Sequence, residues 1–431
     1  MPDLRAFSSL TQLNLSANNF TGSIPVSVGQ LAKLQLLDLS HNSLEGLVSE
    51  SHFIKHDKLN TLDLSFNSLI FDIPLDWSHL YQLKTLYLAR CNVGPYFPKW
   101  IRFQRNLSFL DLSGANIADE APEWFWNSFS LLQNLYLYDN QIWGTIPNLS
   151  FTSIEFMDLS VNHFSGSILL FPANADRIYL SGNMVSGSIS SICKTHLISD
   201  NQLSGFLPNC RSIFPTCTLP IWLTTVFSGE IPASFGNLRN FVSLHMHGNN
   251  LSGELPYNLR HCQELRFIDL GGNNLNGEIP TWIGRLYNMQ YLILRGNKLH
   301  GSIPIEICHL TNIHVLDLSL NNLSSIIPGC FNNFTTLASK NASNLDIPCF
   351  GSIYFGNLSF HWKGRDLEYK GNLGFLKLID FSSNGLIGNI PKSFAHLRGL
   401  KSLNLSRNSL SEYIIPNIGK MEMLDSLELS S

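Results

Sequence analysis

The sequence predicts an α/β-type solenoid, in which many short coils each add one strand to a parallel sheet, and three regularities predict it. Pairs of leucines two residues apart recur, as in Leu13/Leu15 and Leu37/Leu39. An asparagine follows three residues after the second leucine, and a proline often follows seven residues after the asparagine. A chain of 431 residues ordinarily divides into two or three domains, but self-similarity at a fixed step makes the whole length one elongated array.

Leucines two apart on a strand share one face, so both point inward while the residue between them points out. The asparagine, here called the ladder position, both gives and accepts hydrogen bonds and so satisfies backbone groups of a turn closed off from water. It falls at Asn18, Asn42, Asn67, Cys91, Ala115, Asn140, Asn162, Asn183, Asn201, Thr225, Asn249, Asn273, Asn297, Asn321, Asn384 and Asn408. Most steps are 24 or 25 residues. Glycine stands four residues beyond it in eleven units, where a close backbone turn is wanted. The proline, present in twelve units, is expected at a strand start or edge on the outer side, where no donor is needed. No coil buries its leucine face alone, so stability comes from stacking of neighbours. Sixteen coils at about 4.8 Å each give an arc of roughly 75 to 80 Å.

The bulk composition excludes other classes. Charged residues are 14%, and 28 Lys and Arg against 32 Asp and Glu leave −4, so nothing points to nucleic acid or an anionic membrane. The longest apolar stretch, Leu219 to Phe227, is far short of the roughly 20 residues of a membrane helix. The opening decapeptide has no basic segment followed by an apolar core, so it does not read as a secretory signal, and a longer parent chain is expected. Ten glycosylation sequons, at Asn14, Asn19, Asn106, Asn148, Asn250, Asn322, Asn333, Asn341, Asn357 and Asn404, fit a secreted glycoprotein.

The runs Asn250-Leu-Ser-Gly-Glu-Leu-Pro256 and Asn274-Leu-Asn-Gly-Glu-Ile-Pro280 resemble the plant extracellular leucine-rich repeat, over nearly the whole chain. The resemblance implies a right-handed leucine-rich-repeat superhelix with short parallel strands on the concave face and a mostly irregular or 3-10 convex side. The pattern breaks between Asn321 and Asn384, where a step of 63 residues against an ordinary 24 leaves about 39 inserted. This gives repeats over 1–334, an island over 335–374 and repeats again over 375–431. A degenerate unit near 210–227 has lost its leucines while keeping its length, and is expected to be a weak point.

The island run Trp362-Lys-Gly-Arg-Asp-Leu-Glu-Tyr-Lys370, and the segment from Leu88 to Trp126 with its Cys91, Gly94, Pro98 and Trp100, are similar to plant receptor-like proteins. That is the kinase-lacking family whose members include fungal-xylanase sensors. The resemblance implies a cell-surface ectodomain on the apoplastic side of the plasma membrane, in defence signalling. It also implies a protein or peptide ligand on the concave face and a leucine-rich-repeat co-receptor kinase near the island. On it, Lys363, Gly364, Glu368 and Tyr369 are carried over as island residues close to ligand and co-receptor contacts, or else as a clasp holding the island to the coils. Competing readings are a soluble inhibitor or decoy of a microbial wall-degrading enzyme, a receptor-kinase ectodomain, and an inactive gene remnant whose uncapped ends make it poorly soluble.

Between the two leucines the residue is usually Asp, as at Asp38, Asp63, Asp111 and Asp158, which is background to the repeat. Departures from it, or at neighbouring strand positions, are the candidate ligand contacts: Tyr87, Arg90, Tyr136, Tyr138, Asp139, Tyr179, His245, His247 and Arg295. Aromatic and Arg side chains are the usual anchors of protein interfaces; ordinary solvated variation is the competing explanation. A uniform Asp column does not offer the differing environments an acid and base pair needs, so no enzyme, catalytic residue or cofactor is expected. His245 and His247 share a strand face but have no third ligand in sequence, so no metal is expected. Cys330 and Cys349 are read as a disulfide pinning the island, or as two free thiols. Cys91, Cys262 and Cys308 are read as small buried groups.

Overall fold

The computed structural model describes residues 3–74, 77, 82–167, 170–172, 174–187, 195–197, 201–207, 226–239, 241–341, 358–362, 365–369, 375–411 and 417–430. The chain forms two compact units, Met1–Gln202 and Leu203–Ser431. Lys363, Gly364, Cys349, Asn357 and all but the last two residues of the degenerate unit lie outside the described residues.

In unit 1, leucine pairs two apart produce a nine-stranded parallel sheet of three-residue strands, from Gln12–Asn14 to Thr195–Leu197. Its registers place equivalent residues side by side, so that Asp38 meets Asp63 and Leu37 meets Leu62. Middle leucines of these strands, such as Leu37, Leu62, Leu86 and Leu110, are 0–1% exposed. Unit 2 has a seven-stranded parallel sheet built the same way, from Ser243–His245 to Ser426–Glu428. Within it Val315–Asp317 pairs directly with Leu378–Asp380, so the insertion leaves the coils before and after it adjacent. Of the island, Leu358–Trp362 and Arg365–Tyr369, the latter holding Glu368 and Tyr369, form an antiparallel hairpin.

The ladder asparagines stitch neighbours as their chemistry requires. Asn67 donates through Nδ2 to the carbonyls of Leu64, in its own coil, and Leu39, in the preceding one, both at 3.0 Å. Its Oδ1 accepts the Leu44 N–H at 2.9 Å. Asn384 does the same across the insertion, accepting from Leu323 and donating to Leu318, each at 3.0 Å. Where the ladder residue is Cys91, its buried thiol reaches the Leu64 carbonyl at 3.2 Å, and burial pushes its pKa up to about 12.

Glycines four beyond the ladder all have positive φ, from 77° at Gly22 to 111° at Gly144. A second left-handed column, which sequence spacing did not suggest, is the residue just before the ladder. Ala17, His41, Phe66, Arg90, Asp139, Val161, Leu320, Ser383 and Arg407 all sit there with φ between 51° and 61°. For a β-branched residue this is an outlier. Val161 is 54% exposed and gives no core contact in compensation. Val161→Asn is therefore expected to stabilise unit 1 by about 1 kcal/mol, since Asn tolerates this region; a urea midpoint that falls would contradict it.

Seven of the recurring prolines start helical turns rather than standing at strand ends. Pro25, Pro98, Pro232, Pro256, Pro280, Pro304 and Pro391 each precede a short 3-10 helix with φ between −61° and −74°. The proline carbonyl accepts the N–H three residues on, as Pro25 does from Val28 at 3.0 Å. A fixed φ and a missing donor suit the start of a helical turn as well as a strand edge, which is why spacing alone misplaced them.

The cysteine reading needs correction. Cys330 is bonded to Cys308, not to Cys349, with Cα atoms 5.8 Å apart. Their 3-10 turns, Ile305–His309 and Phe331–Asn333, lie on successive coils, so stacking brings the two sulfurs together. Cys91 and Cys262 are buried free thiols, as expected.

Candidate functional site: an aromatic line on the sheet of unit 1

Outward positions of the unit 1 strands are part-exposed, whereas the buried ones are the inward leucines. Five neighbouring strands there carry an unbroken series of rings. Tyr87 to Phe109 is 4.5 Å between centroids, Phe109 to Tyr136 5.2 Å, Tyr136 to Phe156 4.7 Å and Phe156 to Tyr179 5.3 Å. The sequence reading found the three tyrosines but missed Phe109 and Phe156. They precede the first inward residue of their strands, Leu110 and Met157, and strict alternation puts that position on the same outward face. Rings at contact distance on adjacent strands stabilise one another and hold their positions.

Between the tyrosines, in register, lie carboxylates: Tyr87 meets Asp111, Asp111 meets Tyr136, Tyr136 meets Asp158 and Asp158 meets Tyr179. Oδ1 of Asp63, Asp111 and Asp158 each accepts the N–H of the serine two residues on at 2.9 Å. Burial raises all three carboxyl pKa values despite these bonds. Burial, then the flanking carboxylates, raises the Tyr87 and Tyr136 phenols.

Beside the line, Arg90 spans one coil to reach Asp139, Nη1 to Oδ2 at 2.7 Å, and lies 5.9 Å from the Tyr138 ring centroid. The coil between them carries Gly114, where a Cβ would stand 2.8 Å from Arg90 Cδ. Arg90, Tyr138 and Asp139 thus form one clamp, with both charged groups about half exposed.

The candidates in unit 2 have different surroundings. Ser243, His245, Phe267, Asp269, Tyr291, Ile293, Val315, Asp317, Leu378, Asp380, Ser402 and Asn404 are all buried, so this sheet face is covered by the chain's own atoms. His245, 4% exposed, stacks on Phe267 at 3.9 Å, and burial lowers its pKa to about 4. As a ligand contact it is corrected to a packed imidazole. His247 is part-exposed with Nδ1 3.2 Å from Asp269 Oδ1, a contact that raises its pKa, and Arg295 is part-exposed. The two imidazoles therefore face different neighbours rather than a common centre.

Among the sequons, Asn14, Asn19, Asn106, Asn250, Asn322, Asn333 and Asn341 are exposed and Asn148 part-exposed. Asn404 is 3% exposed and donates to Asp380 Oδ2 at 3.1 Å, so the folded chain leaves no room for a glycan on it.

Comparison with known proteins fits this architecture. The Leucine Rich Repeat family model matches residues 9–31, 33–53, 58–80, 240–262, 264–286, 288–310, 312–334, 375–397 and 399–421. The chain belongs to the leucine-rich-repeat proteins, and within them it is similar to plant receptor-like proteins. Over 401 residues it is 42% identical to Receptor-like protein EIX2 of Solanum lycopersicum, a match covering 83% of this chain and 37% of that one. The chain thus spans little more than a third of that relative's length. It superposes with a TM-score of 0.81 and 29% identity on the ectodomain of the Arabidopsis thaliana receptor kinase GASSHO1/SCHENGEN3 in complex with Casparian strip integrity factor 2, covering 99% of this chain and 48% of that one. With the plant peptide hormone receptor RGFR1 in complex with RGF2 the TM-score is 0.77 and the identity 27%, covering 98% and 67%. Among the described residues no helix is long and apolar enough to cross a membrane.

Proposed function

We propose that the chain is the ligand-recognition part of a plant cell-surface receptor-like protein that perceives a microbial or endogenous protein or peptide and signals defence through a leucine-rich-repeat co-receptor kinase. The observation that carries this reading is the aromatic line from Tyr87 to Tyr179, preorganised on a part-exposed sheet face. Rigid aromatic side chains with Arg nearby are what protein interfaces use as anchors, because they bury large areas at small entropic cost. Binding without chemistry is the mechanism, and the carboxylates between the tyrosines work as charge complementarity. The similarity to receptor-like proteins and to ligand-bound receptor ectodomains supports the reading. Glu368 and Tyr369, with Lys363 and Gly364, are proposed to meet the co-receptor, and placement at the plasma membrane rests on parts of the longer relatives outside this chain.

The test transplants unit 1 into a full-length receptor-like protein and measures the oxidative burst in leaves against a panel of microbial proteins and peptides. Replacing Tyr87, Phe109, Tyr136, Phe156 and Tyr179 together by Ala is expected to abolish any response the transplant confers. An undiminished response would remove the aromatic face from the account.

A further inference from the structure

On the reading that a ligand lies across the unit 1 sheet, we propose that its occupant is a proline-rich segment in the polyproline II conformation with a basic residue at every third position. The outward column runs Asp63, Tyr87, Asp111, Tyr136, Asp158, Tyr179 in continuous register. Along this column a ring therefore returns every second strand, and so does a carboxylate, with a period of roughly 9.4 to 9.8 Å, while Phe109 and Phe156 stand two residues earlier on the strands between. Polyproline II has three residues per turn and about 3.1 Å rise, so one turn advances roughly 9.3 Å. Across the three tyrosines the two periods drift apart by only about 1 Å. Other peptide shapes fall out of step: a β-strand repeats its side-chain direction every 6.7 Å or so, and an α-helix advances roughly 5.4 Å per turn.

Chemistry agrees with spacing. Half-buried aromatic rings at regular intervals are the surface on which proline rings pack, and a helix already extended in solution loses little freedom on docking. Asp63, Asp111 and Asp158, each fixed through the serine amide two residues on, stand in the gaps between tyrosines. They are placed to meet one cation per turn. The basic side chain of the clamp, Arg90, is already matched by Asp139 and does not neutralise this column.

The experiment uses the full 431-residue chain and a fluorescent synthetic peptide of repeated Arg-Pro-Pro triplets, read by anisotropy. Tyr136→Ala is expected to weaken binding about tenfold or more, as removal of an interface anchor does. Tyr136→Phe keeps the ring and is expected to stay within about twofold, which separates stacking from folding defects. The double variant Asp111→Asn, Asp158→Asn is expected to weaken binding roughly tenfold and flatten its salt dependence. Repeated Arg-Gly-Gly, equal in charge without the preformed helix, is expected to bind at least about tenfold more weakly. Equal binding of Arg-Gly-Gly overturns the proposal, as does preferential binding of an oligosaccharide probe over Arg-Pro-Pro. Absence of Arg-Pro-Pro binding, with the five-ring variant still silent in leaves, overturns the occupant and leaves the ligand face intact. A normal leaf response from that variant overturns both.

Discussion

Asn67→Ala is expected to destabilise unit 1 by about 1–3 kcal/mol, because a buried backbone group left without a partner costs roughly that much. The Asn67 side chain is 6% exposed and serves four backbone groups belonging to two coils. Alanine leaves the Leu44 N–H facing a void that water must enter or leave empty, while the Leu39 carbonyl keeps the Asn42 amide at 3.1 Å. Equilibrium urea unfolding gives the loss, and faster amide exchange at Leu44 localises it. In a stack of coils the damage falls on the boundary between neighbours rather than on a shared centre. Asn67→Cys is expected to be milder, since Cys91 in the following coil makes one of these contacts with its thiol. A change under about 0.5 kcal/mol for Asn67→Ala would mean the ladder is ornamental to stability.

Raising the pH from about 4 to 8 is expected to weaken unit 2, and Asp317→Asn to remove most of that weakening. Asp317 is fully buried beside Asp380 on the next strand. Its Oδ1 accepts both the N–H and the hydroxyl of Ser319, whereas its Oδ2 has no hydrogen-bond partner. Burial first, then the Asp380 charge, raises its pKa to about 7 from an ordinary 3.8, with Ser319 and Arg295 opposing. Asp380 is raised as well, chiefly by burial. The folded chain thus holds a proton that the unfolded chain releases. The stability is complete below the unfolded value and is lost as the pH rises through the folded one. At about 1.4 kcal/mol per pKa unit, the variant gains on the order of 2–4 kcal/mol near pH 8 and little near pH 4. Thermal melts at both pH values check it, and a flat profile for the unsubstituted chain would sink the argument.

The coils were legible because period two and the ladder step are backbone-level signals, and the inserted segment showed as a broken step. Of the candidate site, Tyr87, Tyr136 and Tyr179 were found by their departure from Asp at one column. Phe109 and Phe156 escaped because they stand in the outward column before the first inward residue, which has no recurring residue type to depart from. His245 could not be judged from its strand, since nothing in the triplet Ser243–His245 says whether the sheet above it is covered. The disulfide followed neighbour stacking rather than proximity to the insertion, so Cys308, 22 residues before Cys330, was overlooked. The left-handed residue before the ladder position is Gly at 114, 182, 248, 272 and 296, but Ala, His, Phe, Arg, Asp, Val, Leu and Ser also occur there and mask the mark.

The direct pairing of Val315–Asp317 with Leu378–Asp380 makes the sheet indifferent to how much polypeptide is looped out between them. Closing a longer excursion costs only about 0.6 kcal/mol per doubling of its length. Selection can therefore lengthen, shorten or rewrite that excursion while the scaffold on either side keeps its phase, which frees one segment to diversify quickly on a frame that need not change.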